Sequence, residues 1–89
     1  MRIKEGFTLR EIIGQFVVIG EGLQQVNFNK MISMNESAAY LWKGVEGKDF
    51  TVEDLTSLLT DKYEVSEEQA ASDAAAIAQK WIDAGLIDL

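Results

Sequence analysis

The amino-acid sequence predicts a single α+β domain in which antiparallel β-strands precede three α-helices. Two observations lead to this prediction. Short runs of strand-forming residues occupy the first part of the chain, and the second part contains three helix starts, at Asn35, Thr51 and Ser66, each followed by apolar residues at helical spacing. The chain has 89 residues, which is the length of one domain, so we assign residues 1–89 to a single unit.

A β-hairpin is predicted near the start of the chain. The segment Thr8–Ile13 alternates loosely and is rich in strand-forming residues, and Gln15–Gly20 contains a short β-branched run. Gly14-Gln15, where the two segments meet, is predicted to form the turn.

A second, smaller hairpin is predicted around Asn29-Lys30, which lies between Val26–Phe28 and Met31–Met34. Asparagine tolerates the positive φ that a tight two-residue turn requires. The last strand should end at Asn35, so we expect three to four N-terminal strands in all.

The first two helices have clear start signals. The first is predicted at Glu36–Glu46, after an N-cap at Asn35 and before a stop at Gly47. The second begins after Thr51, and Asp54 can complete a capping box with that threonine.

The third helix is predicted to begin at Ser66, with Gln69 as its capping-box partner, and to end at Gly85. The two residues after Gly85 are apolar and should fold back onto the core. Strands followed by three helices in this order have the outline of a winged helix-turn-helix domain.

Apolar residues at helical spacing predict which helix faces are buried, and they place Trp42 and Trp81 in the core in preference to a binding site. The predicted buried stripes are Ala38, Leu41, Trp42 and Val45 in the first helix, Val52, Leu55, Leu58, Leu59 and Tyr63 in the second, and Ala70, Ala74, Ile77, Ala78 and Trp81 in the third.

The composition excludes several classes of function. The chain has no cysteine and no histidine, which excludes thiol chemistry, disulfides, histidine-based nucleophilic pairs and zinc sites built on these residues. No glycine spacing matches a phosphate-binding loop, so we expect no enzyme activity and no cofactor. The net charge of −7 disfavours nucleic acid as a partner. No segment is apolar enough for a membrane span or an export signal, which predicts a cytoplasmic protein without a membrane partner.

The third helix is unusually rich in alanine, which has two interpretations. High helix propensity with close packing explains it as well as a shallow groove beside the helix does. In the second interpretation, the residues that border the buried stripe containing Ile77 are Gln69, Asp73, Ala76, Lys80 and Asp83. If the strand made of Met31, Ile32, Ser33 and Met34 lies at the sheet edge next to that stripe, an extended peptide can add to the sheet as one more strand.

Several segments of the chain resemble the PqqD-like family, named for a small protein of pyrroloquinoline quinone (PQQ) biosynthesis. The similar segments are Ile3–Arg10, Met31–Trp42, Thr51–Leu55, Tyr63–Glu68 and Asp73–Ile87. None is specific alone, but together and in this order they cover nearly the whole chain. Where relatives commonly have larger apolar residues, this chain has Ala74 and Ala78, so either the core packs differently there or the groove is wider.

The resemblance implies a winged helix-turn-helix domain that recognises ribosomally made, post-translationally modified peptides. Members of this family bind the leader segment of a precursor peptide between the last strand and the third helix. They present it to a modifying enzyme, often a radical SAM enzyme, and perform no chemistry themselves. By position, the leader site falls on Met31–Met34 and on the stripe of the third helix.

Two other interpretations remain open from the sequence. One is a DNA-binding transcription regulator, although the third helix carries only Lys80 as a cation against four acidic residues. The other is a protein-partner adaptor or a subunit that forms a homodimer through its edge strand, which would occupy the same edge as a leader peptide.

Overall fold

The fold is α+β, with N-terminal antiparallel strands packed on three helices, as the sequence predicts. In the computed structural model, residues 1–20 and 31–89 are described. The predicted hairpin partner at 26–28 and its turn lie outside the described residues. The elements in chain order are β1 (Arg2–Ile3), β2 (Phe7–Ile12), β3 (Gln15–Gly20), β4 (Met31–Met34), α1 (Glu36–Val45), α2 (Val52–Lys62), α3 (Glu67–Asp83) and β5 (Ile87–Asp88).

The three strands β2, β3 and β4 form one antiparallel sheet in that order. In the β3–β4 ladder, Val18 lies opposite Ile32, and Phe16 lies opposite Met34. Because side chains alternate between the faces of a sheet, these four residues share one face. Val18 is completely buried and Met34 nearly so, and therefore this face lies against the helices.

The turn of the first hairpin lies one residue earlier than predicted. Ile12 pairs with Gln15, so the two turn residues are Ile13 and Gly14, with φ of 50° and 75°. Positive φ at both turn positions matches the right-handed twist of a tight hairpin. Isoleucine seldom adopts such a φ, and this is why the sequence favoured a turn beginning at Gly14.

A second sheet of two short strands was not predicted. Arg2 pairs with Asp88 and Ile3 with Ile87, which joins the two ends of the described chain. The residues after α3 therefore fold back onto the core, as expected, but they do so as a strand. Two-residue strands leave no periodic pattern in a sequence, so only the apolar character of this end was visible.

All three predicted N-caps are confirmed. The side chain of Asn35 accepts a hydrogen bond from the amide of Ala38 at 2.8 Å. The amide of Asp54 donates to the Thr51 hydroxyl at 3.2 Å, and the amide of Thr51 donates to the Asp54 carboxylate at 2.9 Å, which completes the predicted capping box.

At α3 the predicted capping box is only half formed. The backbone amide of Gln69 donates to the Ser66 hydroxyl at 3.1 Å. The side-chain amide of Gln69, however, donates to the Asp73 carboxylate at 2.9 Å and not to the N-cap residue. The helix ends at Asp83, and Gly85, two residues later, adopts a φ of 79°. The amide of Leu86 there donates to the carbonyl of Trp81 at 3.0 Å, the hydrogen bond of a Schellman motif.

The core lies where the three helices meet the inner face of the sheet. Both tryptophans belong to it, as predicted: Trp42 is completely buried and Trp81 nearly so. Trp42 also donates its indole N–H to the Glu46 carboxylate at 2.9 Å, which satisfies a polar group that burial would otherwise leave unpaired. None of the helices in the described part of the chain is long and apolar enough to cross a bilayer.

Candidate functional site

One edge of the three-stranded sheet is formed by β4 and the other by β2. Among residues 1–20 and 31–89, the only strand that pairs with β4 is β3, on its other side. An edge strand of this kind leaves backbone N–H and C=O groups available to a further strand. Helix α3 lies beside this edge, since Met34 of β4 and Trp81 of α3 line the same cleft.

A small cleft of about 90 Å³ separates β4 from α3. The strand side is formed by Ile32, Ser33 and Met34, and Asn35 and Ala38 continue it into α1. The helix side is formed by Ile77, Lys80 and Trp81. We call this recess the strand cleft. Its walls are mainly apolar, and Lys80 is the one charged residue among those that line it.

A larger pocket of about 400 Å³ lies farther along α3, toward the start of that helix. Three of its lining residues, Asp73, Ala76 and Ile77, belong to α3. The others come from the start of α1, from α2 and from the segment after α2, and they are Asn35, Ser37, Leu59, Tyr63 and Val65. We call this recess the helix pocket.

The strand cleft and the helix pocket are neighbouring recesses that share the lining residues Asn35 and Ile77, and we treat them together as one depression. Along α3 the depression follows one stripe, since residues three and four apart share a face of a helix. From Asp73 to Trp81 the lining therefore passes from the helix pocket into the strand cleft. We call the whole depression the groove.

The structure brings together most of the residues that the sequence singled out as a binding site. Ile32, Ser33, Met34, Ile77 and Lys80 line the strand cleft. Asp73 and Ala76, together with Ile77, line the helix pocket. All seven therefore border one groove.

Two of the predicted site residues line neither recess. Met31 alternates to the outer face of β4 and is 58% exposed. Gln69 lies one turn before Asp73 and is exposed, with its side chain amide bonded to the Asp73 carboxylate. A contiguous run of strand residues always places half of its side chains on the other face of the sheet, which accounts for Met31.

Several groove residues were not predicted as part of the site. Tyr63 and Leu59 carried only a core signal in the sequence, because both follow the apolar spacing of α2. Val65 and Asn35 were explained by the helix starts beside them. Each of these residues has a structural role that explains its identity, so the sequence offers no separate sign that they also border a pocket.

The alanines of α3 serve both purposes that the sequence left open. Ala70, Ala74 and Ala78 are buried in the core, where small side chains allow α3 to pack closely on α2. Ala76 is exposed and lines the helix pocket. The departures at Ala74 and Ala78 therefore concern the packing of the core.

A family model described as Coenzyme PQQ synthesis protein D (PqqD) matches residues 6–87 of the chain. The match includes β2, β3, β4, all three helices and the first residue of β5. No curated protein and no solved structure matches the chain.

Proposed function

The chain belongs to the PqqD family, and from this membership and the groove beside β4 we propose that it is a non-catalytic peptide-binding module. Its ligand is the leader segment of a ribosomally made precursor peptide, which adds to β4 as a further strand. The module then presents the peptide to a modifying enzyme, with a radical SAM enzyme as the first candidate. The name of the family connects it with the synthesis of coenzyme PQQ, so the most general form of the proposal is a role in that synthesis.

The observation on which the proposal depends is the edge of β4 beside the strand cleft, which pairs with no strand among residues 1–20 and 31–89. A peptide added here gains backbone hydrogen bonds from β4, and its side chains that face α3 enter the groove. The side-chain contacts are needed for selectivity, because main-chain hydrogen bonds alone distinguish little between peptide sequences. The strand cleft supplies apolar contacts through Ile32, Ile77 and Trp81.

The charge of the chain suits a peptide partner better than nucleic acid. The exposed residues of α3 include Glu67, Glu68, Asp73 and Asp83, with Lys80 as the single cation of that helix. A helix that reads DNA presents arginine and lysine to base edges and phosphates. The net charge of −7 favours peptides and enzyme surfaces that carry positive charge. Because leader peptides are made on cytoplasmic ribosomes, we also place the protein in the cytoplasm.

Self-association through β4 competes directly with this function. Two copies that pair their β4 edges would close the backbone groups that a leader peptide needs. Light scattering over a concentration series, with and without the peptide, separates the two possibilities. Our proposal predicts that added peptide shifts any dimer toward the peptide-bound monomer.

The proposal is tested by calorimetric titration with the short peptides encoded beside the gene. For the peptide that binds, a series of variants carries one backbone N-methyl group each, since methylation removes one N–H donor without altering the side chain. Strand addition predicts that affinity falls at every second position, because alternate N–H groups of the peptide face β4. Absence of binding by every such peptide contradicts the proposal, and binding without the two-residue alternation contradicts strand addition.

A matched pair of protein variants locates the site. Ala76 lines the helix pocket and Ala75, its neighbour, is also exposed but lines neither recess. Both are alanines in the middle of α3, so replacement by glutamate changes helix propensity and net charge equally. We expect Ala76→Glu to weaken peptide binding at least tenfold (roughly 1.4 kcal/mol) and Ala75→Glu to leave it nearly unchanged.

A further inference from the structure

We propose that the groove reads a pair of peptide residues two apart, a small one in the strand cleft and a bulky one in the helix pocket. This inference rests on the proposed function and adds to it the class of peptide that is selected. The bulky residue has an apolar body and a hydrogen-bonding group at its tip. The spacing of the two recesses, their sizes and the burial of the Tyr63 hydroxyl support this inference.

The spacing of the two recesses matches the repeat of an extended strand. The strand cleft uses Ile77, Lys80 and Trp81, whereas the helix pocket uses Asp73, Ala76 and Ile77, an offset of four residues. Four residues along an α-helix span about 6 Å. Two residues of a β-strand span roughly 6.7 Å, and side chains two apart lie on the same face. Consecutive side chains on the inner face of an added strand therefore meet consecutive recesses.

The sizes of the recesses determine which residue each one accepts. A cavity of about 150 Å³ holds a benzene molecule. The strand cleft, at about 90 Å³, is smaller than that, so it accepts alanine, serine or a similarly small side chain. The helix pocket, at about 400 Å³, accepts a long or aromatic side chain.

The direction of the peptide fixes the order of the pair. β4 runs toward Asn35, and its end lies at the junction of the strand cleft with the helix pocket. The neighbouring strands of the sheet are antiparallel, and we extend that pattern to the added strand. The peptide then runs opposite to β4, so its bulky residue comes two positions before its small one.

The helix pocket has apolar walls and a polar group without a partner. Leu59, Val65 and Ile77 provide aliphatic contact surface. The hydroxyl of Tyr63 is completely buried, and no hydrogen-bond partner is found for it among the described residues. Buried polar groups in folded proteins nearly always have a partner. Because the hydroxyl has no accessible surface, it lies behind the surface of the pocket wall, and an occupant that opens this wall would supply the partner.

The aromatic ring of Tyr63 is held in place independently of any ligand. The ring of Tyr40 packs edge-on against it, with 6.1 Å between the centroids and 90° between the planes. The ammonium group of Lys62 lies 4.3 Å from the centroid of the Tyr40 ring and 5.9 Å from that of Tyr63. The ring of Tyr63, a residue that lines the helix pocket, is therefore held in position before a peptide binds.

The charges around the helix pocket favour a neutral tip on the bulky residue. Asp73 is the one charged residue among those that line it, and its carboxylate already accepts from Gln69. The start of α1, at Asn35 and Ser37, lies on the opposite rim and carries the positive end of a helix dipole. The ammonium group of Lys62 also lies near the Tyr63 ring, so the helix pocket favours neither a positively nor a negatively charged tip on the bound residue.

The test is a positional scan of whichever peptide binds in the titration above. At each position alanine, leucine, phenylalanine and glutamine are introduced singly, and affinity is measured by calorimetry. We expect one position at which the larger residues bind at least roughly tenfold more tightly than alanine, and at which glutamine, whose tip forms hydrogen bonds, binds more tightly than leucine. Two positions later in the peptide we expect the opposite order, with alanine favoured over the larger residues.

The variant Tyr63→Phe tests the hydrogen bond separately. It removes only the hydroxyl, which makes no bond to the described part of the protein, so the fold should be unaffected. In this variant we expect glutamine at the bulky position to lose its advantage over leucine, while leucine and phenylalanine bind as before. Ser57→Ala, which alters an exposed residue on another face of α2, is the control.

The outcomes separate this inference from the function on which it depends. Binding that shows the two-residue methylation pattern but no size preference at any pair of positions overturns the inference and leaves the peptide-binding function intact. A size preference at positions that are not two apart, or an unchanged glutamine preference in Tyr63→Phe, also overturns it. Absence of binding by every peptide overturns both.

Discussion

Trp42 of α1 and Trp81 of α3 pack edge to face, with 5.4 Å between their ring centroids and 81° between their planes. Trp81 also lines the strand cleft, and Phe50 packs edge-on against it with 6.2 Å between the ring centroids. The position of α3 beside β4 is therefore fixed by an aromatic cluster in the core. The groove depends on this cluster, although Trp81 is the one ring of the cluster that also lines the groove.

Replacement of Trp42 by phenylalanine should destabilise the protein by about 1–3 kcal/mol, because it removes buried volume and the hydrogen bond to Glu46. Urea unfolding followed by circular dichroism measures this difference. Glu46→Gln, which keeps an acceptor for the indole N–H, should have a much smaller effect. Equal stability of Trp42→Phe and the unaltered protein would contradict the assigned role of the aromatic cluster.

Loss of the capping box at the start of α2 should lower the free energy of unfolding. Thr51→Ala leaves the Asp54 amide without its acceptor, for which we expect a loss of about 0.5–2 kcal/mol. Thr60→Ala is a matched control, since its hydroxyl donates only to the Ser57 carbonyl within the same helix. Similar changes for the two variants in thermal unfolding would show that the box contributes little.

The contact between Gly44 and Leu58 should appear as an energetic coupling. A Cβ at position 44 would lie 2.8 Å from the Leu58 Cδ1 atom, so an alanine there forces the leucine side chain to move. Gly44→Ala should also gain up to about 1 kcal/mol of helix propensity. We therefore expect it to be more stabilising in a Leu58→Ala background than in the unaltered protein.

A double-mutant cycle in urea measures this coupling. Residues in direct contact commonly show interaction energies of about 0.5–3 kcal/mol. Additive effects of the two substitutions would contradict the close approach of α1 and α2 at this point.

The two faces of β4 should respond differently to substitution. Ile32 faces the strand cleft, whereas Met31 lies on the outer face and is 58% exposed. Ile32→Ser should weaken peptide binding by roughly tenfold or more, through loss of apolar contact with the peptide. Met31→Ser should leave affinity nearly unchanged. Calorimetry on both variants decides this, and equal losses would show that the peptide does not use the inner face.

The parts of the fold that could be predicted from the sequence are those with a local physical cause. The caps at Asn35, Thr51 and Ser66 are visible because each uses residues only three apart. The pairing of Arg2–Ile3 with Ile87–Asp88 was not visible, since it joins the two ends of the chain through strands too short to show a period. The turn at Ile13 was misplaced by one residue because its backbone is unusual for isoleucine.

The candidate site could be predicted on the α3 side, where Asp73, Ala76, Ile77 and Lys80 follow one helical stripe. The helix pocket could not, because it appears only when the start of α1 and the end of α2 meet that stripe. Tyr63 is an example. Its spacing relative to the apolar residues of α2 predicts that it is buried, and the structure shows that its hydroxyl is buried. Only the three-dimensional arrangement reveals that this hydroxyl has no partner among the described residues.

The most direct test of the proposed strand addition is amide hydrogen exchange at β4, measured by NMR with and without a saturating precursor peptide. The account predicts that alternate amides within Met31–Met34 become strongly protected, because those that point away from β3 gain acceptors on the peptide. It also predicts that the amides of Arg2 and Ile3, which belong to the separate two-stranded sheet, exchange as before. Protection elsewhere on the protein, with the exchange of the β4 amides unchanged, would contradict the account.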